Sequence, residues 1–147
     1  MAKKTNKELL ERGIKKAENH IETKDLNTLA ILTPKEQLNK LTAEFGSLYD
    51  PAPYPRPKEF NGLTAEWGKV TYCNPPFWSG HSITTWVRKA IYEKEKGKRI
   101  IMALPVDNWV AMLIENSQDI RVMRNWKWET PLGEVRNPAR PLVLWVL

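Results

Sequence analysis

The 147-residue sequence predicts an α/β domain whose sheet is mostly parallel and ends in an antiparallel hairpin. Helical and strand patterns alternate from Thr33 to about Met123, and the remaining stretch is rich in strand patterns separated by Pro131, Gly133 and Pro138. No internal repeat or low-complexity linker interrupts the chain. Its 41% hydrophobic and 27% charged residues suit a globular protein rather than a disordered one.

The first element is an amphipathic helix over about residues 7–22, where Leu9, Leu10, Ile14, Ala17 and Ile21 recur at helical spacing. It belongs to a basic N-terminal unit, residues 1–30, ahead of a main domain, residues 31–147. Its basic face is either solvated or in contact with phosphate. A second helix has clear punctuation: Thr33 as N-cap, Pro34 at the first helical position, Glu36 completing a capping box and Gly46 as the stop. Leu38, Leu41 and Phe45 give it a buried face. Residues 47–49 then read as a short strand ending at Asp50, and Pro51, Pro53, Pro55 and Pro57 force the next stretch into a loop.

Residues 69–73 are rich in β-formers and predict a strand running into Asn74. Trp86, Val87, Ala90 and Ile91 mark a helix over about residues 82–95, ended by Gly97. Residues 99–104 form the most apolar strand, of the kind buried on both faces of a sheet. Asn108 is placed to cap a short helix through Glu115, and residues 120–123, 126–128 and 142–147 supply three further strands.

Composition narrows the function. A single cysteine, Cys73, beside only His20 and His81, forms no disulfide and no zinc-ligand spacing, so no metal is expected. No apolar run approaches the roughly 20 residues of a membrane span, and the N-terminus is too polar for a secretory signal, so a cytoplasmic protein without a membrane partner is expected. A net charge of +6 favours a polyanionic partner.

The chemistry gathers in Tyr72, Cys73, Asn74, Pro75, Pro76, Phe77 and Trp78, where a strand leaves the sheet. Ligands of open α/β sheets bind at such carboxyl ends. The two prolines fix their own φ and push Asn74 to extended geometry, which holds two acceptors, the Asn74 amide oxygen and the Pro75 carbonyl, with little entropy to lose. Such a pair suits methylation of a planar amine: binding its two hydrogens favours rehybridisation and frees the nitrogen lone pair. Phe77 is suited to stack on a flat base. The same residues also suit a proline-stiffened turn with a core aromatic. By residue type alone Asp50 starts the turn before Pro51 and Thr33 caps the helix that follows it.

These residues resemble the amino-methyltransferases whose motif is Asp, Asn or Ser, then Pro, Pro and an aromatic, and in particular the small phage-type DNA N6-adenine methyltransferases (Dam-like). The likeness runs from about Leu32 to Trp109, through Thr33–Pro34, Asp50, Asn61–Gly62–Leu63, Asn74–Phe77, Trp86, Lys89–Ala90 and the stretch from Gly97 to Pro105. It implies a Rossmann-like core, S-adenosylmethionine as donor and methyl transfer to the exocyclic amine of adenine in DNA. In that frame Asn74, Pro75, Pro76 and Phe77 are catalytic, and Thr33, Asp50 and Asn74 face the cofactor. An adenine in a duplex must be flipped out to react. Trp78, Arg88, Lys89, Arg136 and Arg140 are the candidates to contact the DNA, with residues 136–140 as the recognition loop. The chain lacks a recognition domain of tens of residues, which predicts low sequence specificity or help from a second subunit, as in a homodimer. It departs from the pattern in two places: Asp50, Pro51, Ala52 and Pro53 replace the usual glycine-rich loop, and Phe77 replaces the commoner Tyr. RNA or a protein glutamine as acceptor, and a nucleic-acid-binding protein on a degenerate scaffold, are the competing readings.

Overall fold

Two strands, β1 (Val70–Cys73) and β2 (Arg99–Pro105), lie side by side in parallel, with Val70 opposite Arg99 and Cys73 opposite Met102. They start the main sheet of the computed structural model, which describes residues 2–18, 31–76 and 83–147. β2 pairs antiparallel with β6 (Leu142–Val146), and β6 pairs antiparallel with β3 (Asp119–Met123), giving the order β1-β2-β6-β3. The expected mostly parallel sheet is therefore corrected to a mixed one, since β1 and β2 are its one parallel pair of neighbouring strands. β1, β2 and β3 still point the same way; β6 alone runs against them. The reason lies in the connection from β3 to β6, which carries no helix and so makes no crossover of the kind that returns a strand in parallel. That connection instead holds a separate hairpin, β4 (Trp128–Glu129) with β5 (Val135–Arg136).

Strand pleating sorts the core onto two faces. Tyr72, Ile101, Ala103, Leu142, Leu144 and Val146 pack with Leu41 of α2 (Lys35–Phe45) and with Trp126 and Trp128. Cys73, Ile100, Met102, Leu104, Val143 and Trp145 pack on the opposite face with α3 (Ile83–Glu95), Trp109 and Leu113. Each fully buried side chain of this size contributes about 1.5–3 kcal/mol. α1 (Asn6–Glu18) lies on α3 so closely that a Cβ on Gly13 would come within 2.5 Å of the Thr85 hydroxyl. Residues 19–22, the predicted end of that helix, lie outside the described residues.

Local expectations hold with shifts. α2 stops where Gly46 adopts φ 89°, but Pro34 occupies the cap position and no side chain caps it. The Thr33 hydroxyl is used elsewhere, against the Tyr72 hydroxyl at 2.6 Å. The strand expected at residues 47–49 reduces to one parallel bridge, in which the Tyr49 N–H donates to Val70 and the Tyr72 N–H donates to Tyr49. α4 (Val110–Asn116) begins after Trp109 instead of at Asn108, because the Asn108 N–H is bonded to the Asp107 carboxylate and the Trp109 indole donates to the Pro105 carbonyl at 2.8 Å. Among the described residues no helix is long and apolar enough to cross a membrane.

Candidate active site

The register brings four strand ends to one edge. Cys73, the last residue of β1, pairs with Met102; farther along β2, Pro105 pairs with Leu142 at the start of β6, and Leu142 pairs with Met123 at the end of β3. Asn74 leaves the sheet at this edge. Its Nδ2 donates to the Ile31 carbonyl at 2.8 Å, and its Oδ1 is buried with no hydrogen-bond partner among the described residues. A buried amide oxygen left unpaired is costly, on the order of 1–3 kcal/mol. The donor side of the amide is tied down, while the acceptor side has no partner among the described residues. Pro75 is buried behind it, which stiffens the backbone that follows.

Residues 31–33 build the wall beside Asn74. Ile31 orients the amide through its carbonyl, Leu32 exchanges two backbone hydrogen bonds with Glu129 of β4 at 2.7 and 2.9 Å, and Thr33 holds Tyr72. Burial raises the Tyr72 phenol far above its ordinary pKa, with the Thr33 hydrogen bond opposing, so it is a neutral hydroxyl.

Asp50 follows the bridge of Tyr49 to Thr71 and reaches the same end of the sheet. Its residue surface is open to solvent, yet enough protein surrounds the carboxyl for desolvation to raise its pKa, against a 2.9 Å hydrogen bond from the Ala52 N–H. Asp50 is close enough for its charge to push up the pKa of both Tyr72 and Cys73, after burial the next upward contribution to the buried Cys73 thiol. An open carboxylate thus acts on Tyr72 and Cys73, the two residues that lead the chain into Asn74.

The DNA-facing candidates separate. Lys89 is only 4% exposed, bonded to Glu93 at 2.6 Å and set 5.8 Å and 5.4 Å from the Trp67 and Tyr92 ring centres. Lys89 is thereby removed as a phosphate contact: its charge is committed to a buried carboxylate and two aromatic faces. Arg88 is half-buried against α1, its guanidinium 3.4 Å from Asn6 Oδ1. Arg136 is exposed on β5, beside Glu134 at 2.9 Å. Arg140 is exposed just before β6 and bonds the Asp107 carboxylate, which it holds below its ordinary pKa. Asp107 therefore ties Arg140 to the carboxyl end of β2. Phe77, Trp78 and His81 lie outside the described residues.

Sequence reasoning missed Ile31, because a backbone carbonyl leaves no residue-type signature. The expected C-terminal antiparallel hairpin is present as β4–β5; what the sequence did not show is that Glu129 of β4 bonds Leu32 beside Asn74.

Comparison with known proteins adds one finding. A family model described as DNA N-6-adenine-methyltransferase (Dam) matches residues 22–129, which include α2, β1, α3, β2, α4, β3 and β4. No curated protein and no solved structure matches the chain. The family match covers well over half of the sequence, and the chain belongs to the DNA N-6-adenine-methyltransferase (Dam) family.

Proposed function

We propose that this chain transfers the methyl group of S-adenosylmethionine to the exocyclic amine of adenine in DNA. One observation carries the reading: the Asn74 amide is fixed through its Nδ2 to Ile31, while its Oδ1, at a strand end, is buried with no partner among the described residues. That oxygen fits a hydrogen of the adenine amine. The Pro75 carbonyl is the second acceptor, and together they draw the nitrogen toward sp³ geometry, so that its lone pair is available. In this reading Phe77 is the residue type suited to stack on the base, a contact of about 1–3 kcal/mol, and Trp78 is a further candidate to contact DNA; both lie outside the described residues. Pro76 keeps the loop rigid between them. The amine proton leaves to solvent.

The residues present fit the donor. Asp50 offers an open carboxylate to its ammonium group, and Thr33 lies on the wall beside it. Bound S-adenosylmethionine supplies an electrophilic methyl group. Asp50 to Pro53 take the place of a glycine-rich loop, so pairing with Asp50 carries more of the recognition here. Three strands pointing one way, with helices on both faces, support a Rossmann-like core beneath this edge. Arg136 and Arg140 contact phosphate, and the small size of the recognition surface favours low sequence specificity or a second subunit of the same chain.

Calorimetry with S-adenosylmethionine and its demethylated product, followed by labelled methyl transfer to DNA, RNA and peptide, tests this. Binding and label on DNA adenine are expected. No binding of either compound overturns the reading, and label on RNA or peptide alone moves the acceptor away from DNA.

A further inference from the structure

α1 lies wholly before the stretch that the family matches, residues 22–129, and its charges have no part in the methyl transfer described above. Arg12, Lys15 and Lys16 are exposed and stand three and four residues apart, so they share one face of the last turns of the helix. No ion pair joins any of them to an acid among the described residues. Glu11 is the exposed acid among them, while Glu8, nearer the start, is taken up by the Thr5 N–H at 2.7 Å and the Thr5 hydroxyl at 3.1 Å. The face keeps a net positive charge. Cations in a last helical turn complement the helix dipole by about 0.3–1 kcal/mol each, which explains their presence on α1 but not where the fold places them.

That placement follows from how α1 is mounted. Asn6 Nδ2 donates to the Arg88 carbonyl at 3.0 Å, and Asn6 Oδ1 accepts from the Arg88 guanidinium at 3.4 Å. Leu10 is buried, and Gly13 passes against Thr85. From Asn6 to Gly13 the contacts therefore move from Arg88 back to Thr85, so α1 advances toward the start of α3. The start of α3 follows the segment that leaves β1 through Asn74, and the last turns of α1 point to the carboxyl end of the sheet. Lys3, Lys4 and Lys7, equally exposed, lie at the opposite end. α1 packs through Ile14 on the face of the sheet that holds α3, whereas Arg136 belongs to the hairpin of Trp128 on the other face. Two basic patches thus stand on opposite faces beside the edge where Asn74 emerges.

We propose that Arg12, Lys15 and Lys16 form a phosphate-binding surface that holds duplex DNA on the α3 side of the reacting edge, opposite Arg136. This rests on the DNA-adenine reading above. The guanidinium and the two ammonium groups release counterions from the DNA backbone and carry no sequence information. Such a surface meets a need of a chain without a recognition domain, since the duplex must be held while its adenine is unstacked.

Binding of the full-length protein to a fluorescent DNA duplex over a series of salt concentrations, read by anisotropy, tests this with two triple variants of equal charge change. One carries Arg12→Gln, Lys15→Gln and Lys16→Gln; the other carries Lys3→Gln, Lys4→Gln and Lys7→Gln. Each phosphate contact contributes about 0.9 to the slope of log affinity against log salt, so the first triple should flatten that slope by about 2–3 and the second by less than about 1. A protein with Arg12→Lys, Lys15→Arg and Lys16→Arg, which keeps the charges, should retain the wild-type slope. Equal flattening by the two Gln triples, or an unchanged slope in the first, overturns the surface and leaves the methyltransferase reading intact. A wild-type protein that labels RNA or peptide and not DNA removes the reading beneath it.

Discussion

Two buried polar groups, one within α3 and one in the segment before it, are treated in opposite ways. Glu93, fully buried near the end of that helix, is bonded to Lys89 at 2.6 Å and to Lys98 at 2.5 Å, with Lys96 a further 3.6 Å away. Asn74, in the segment before the helix, keeps its amide oxygen buried and without a partner among the described residues. Every buried charge at the first place is matched because nothing else arrives to match it. At the second the cost of an orphaned acceptor persists, which is understandable where a ligand completes the hydrogen bond. Among the described residues Trp86 Nε1, Ser117 Oγ and Trp126 Nε1 are unpaired as well, and what sets Asn74 Oδ1 apart is its place at the carboxyl end of a strand.

Breaking the matched cluster should produce the largest effect. Glu93→Ala leaves Lys89 buried without its carboxylate and should cost about 3–5 kcal/mol, read as a lower denaturant midpoint. The molecules that remain folded should transfer methyl groups at the wild-type rate, because the cluster does not reach the active edge. Burial alone would raise the Glu93 pKa, but the hydrogen bonds from Lys89 and Lys98 outweigh it and the net shift is downward. A depressed carboxyl stabilises the fold above its unfolded pKa, about 4.3, and that contribution is lost as pH falls through the folded value. Denaturant midpoints of the wild type should therefore drop in acid more steeply than those of Glu93→Ala.

A change to the wall of the other site should be smaller and should mix the two readouts. Thr33→Val strands the buried Tyr72 hydroxyl, which loses its 2.6 Å partner, at a cost of about 1–3 kcal/mol. Because Thr33 shares a short segment with Ile31, initial-rate measurements should show a lower kcat as well, unlike Glu93→Ala.

Asp50 sharpens the comparison through pH. Its pKa is raised where that of Glu93 is lowered, chiefly by desolvation. Its negative charge, and with it the proposed pairing to a ligand ammonium, should be lost on acidification before the Glu93 cluster opens. For the fold itself the sign is reversed, since a raised carboxyl pKa favours the folded state at low pH. Calorimetric titrations should thus show affinity for S-adenosylmethionine falling at a pH where circular dichroism is unchanged. Asp50→Asn should flatten that dependence. The smallest effect belongs to the exposed Lys40–Glu36 pair at 3.5 Å, whose removal by Lys40→Ala should move thermal stability by no more than about 0.5 kcal/mol.

The sequence was informative wherever local chemistry decided the outcome. Gly46 and Gly97 end helices, the proline run after Asp50 forbids regular structure, and the β-formers before Asn74 make the strand that delivers it. What could not be read was decided by long-range pairing. The reversal of β6 depends on how the chain returns after β3, and no residue within β6 records its direction. Lys89 resembled a DNA contact because charge type is visible in sequence, whereas its burial between Glu93, Trp67 and Tyr92 is not. Thr33 had the right type and place for a cap, but the Tyr72 hydroxyl won its hydrogen bond. The position of Asn74 was legible; the Ile31 carbonyl that orients it was not.

The most direct measurement of the central claim is labelled methyl transfer from S-adenosylmethionine to duplex DNA by Asn74→Ala, with cofactor affinity and thermal midpoint recorded on the same preparation. Loss of one preorganised polar contact to the reacting group should lower the rate by at least about 100-fold. The fold should lose no more than the roughly 1 kcal/mol of the Ile31 hydrogen bond. Transfer at the wild-type rate by a folded, cofactor-binding Asn74→Ala protein would contradict the account.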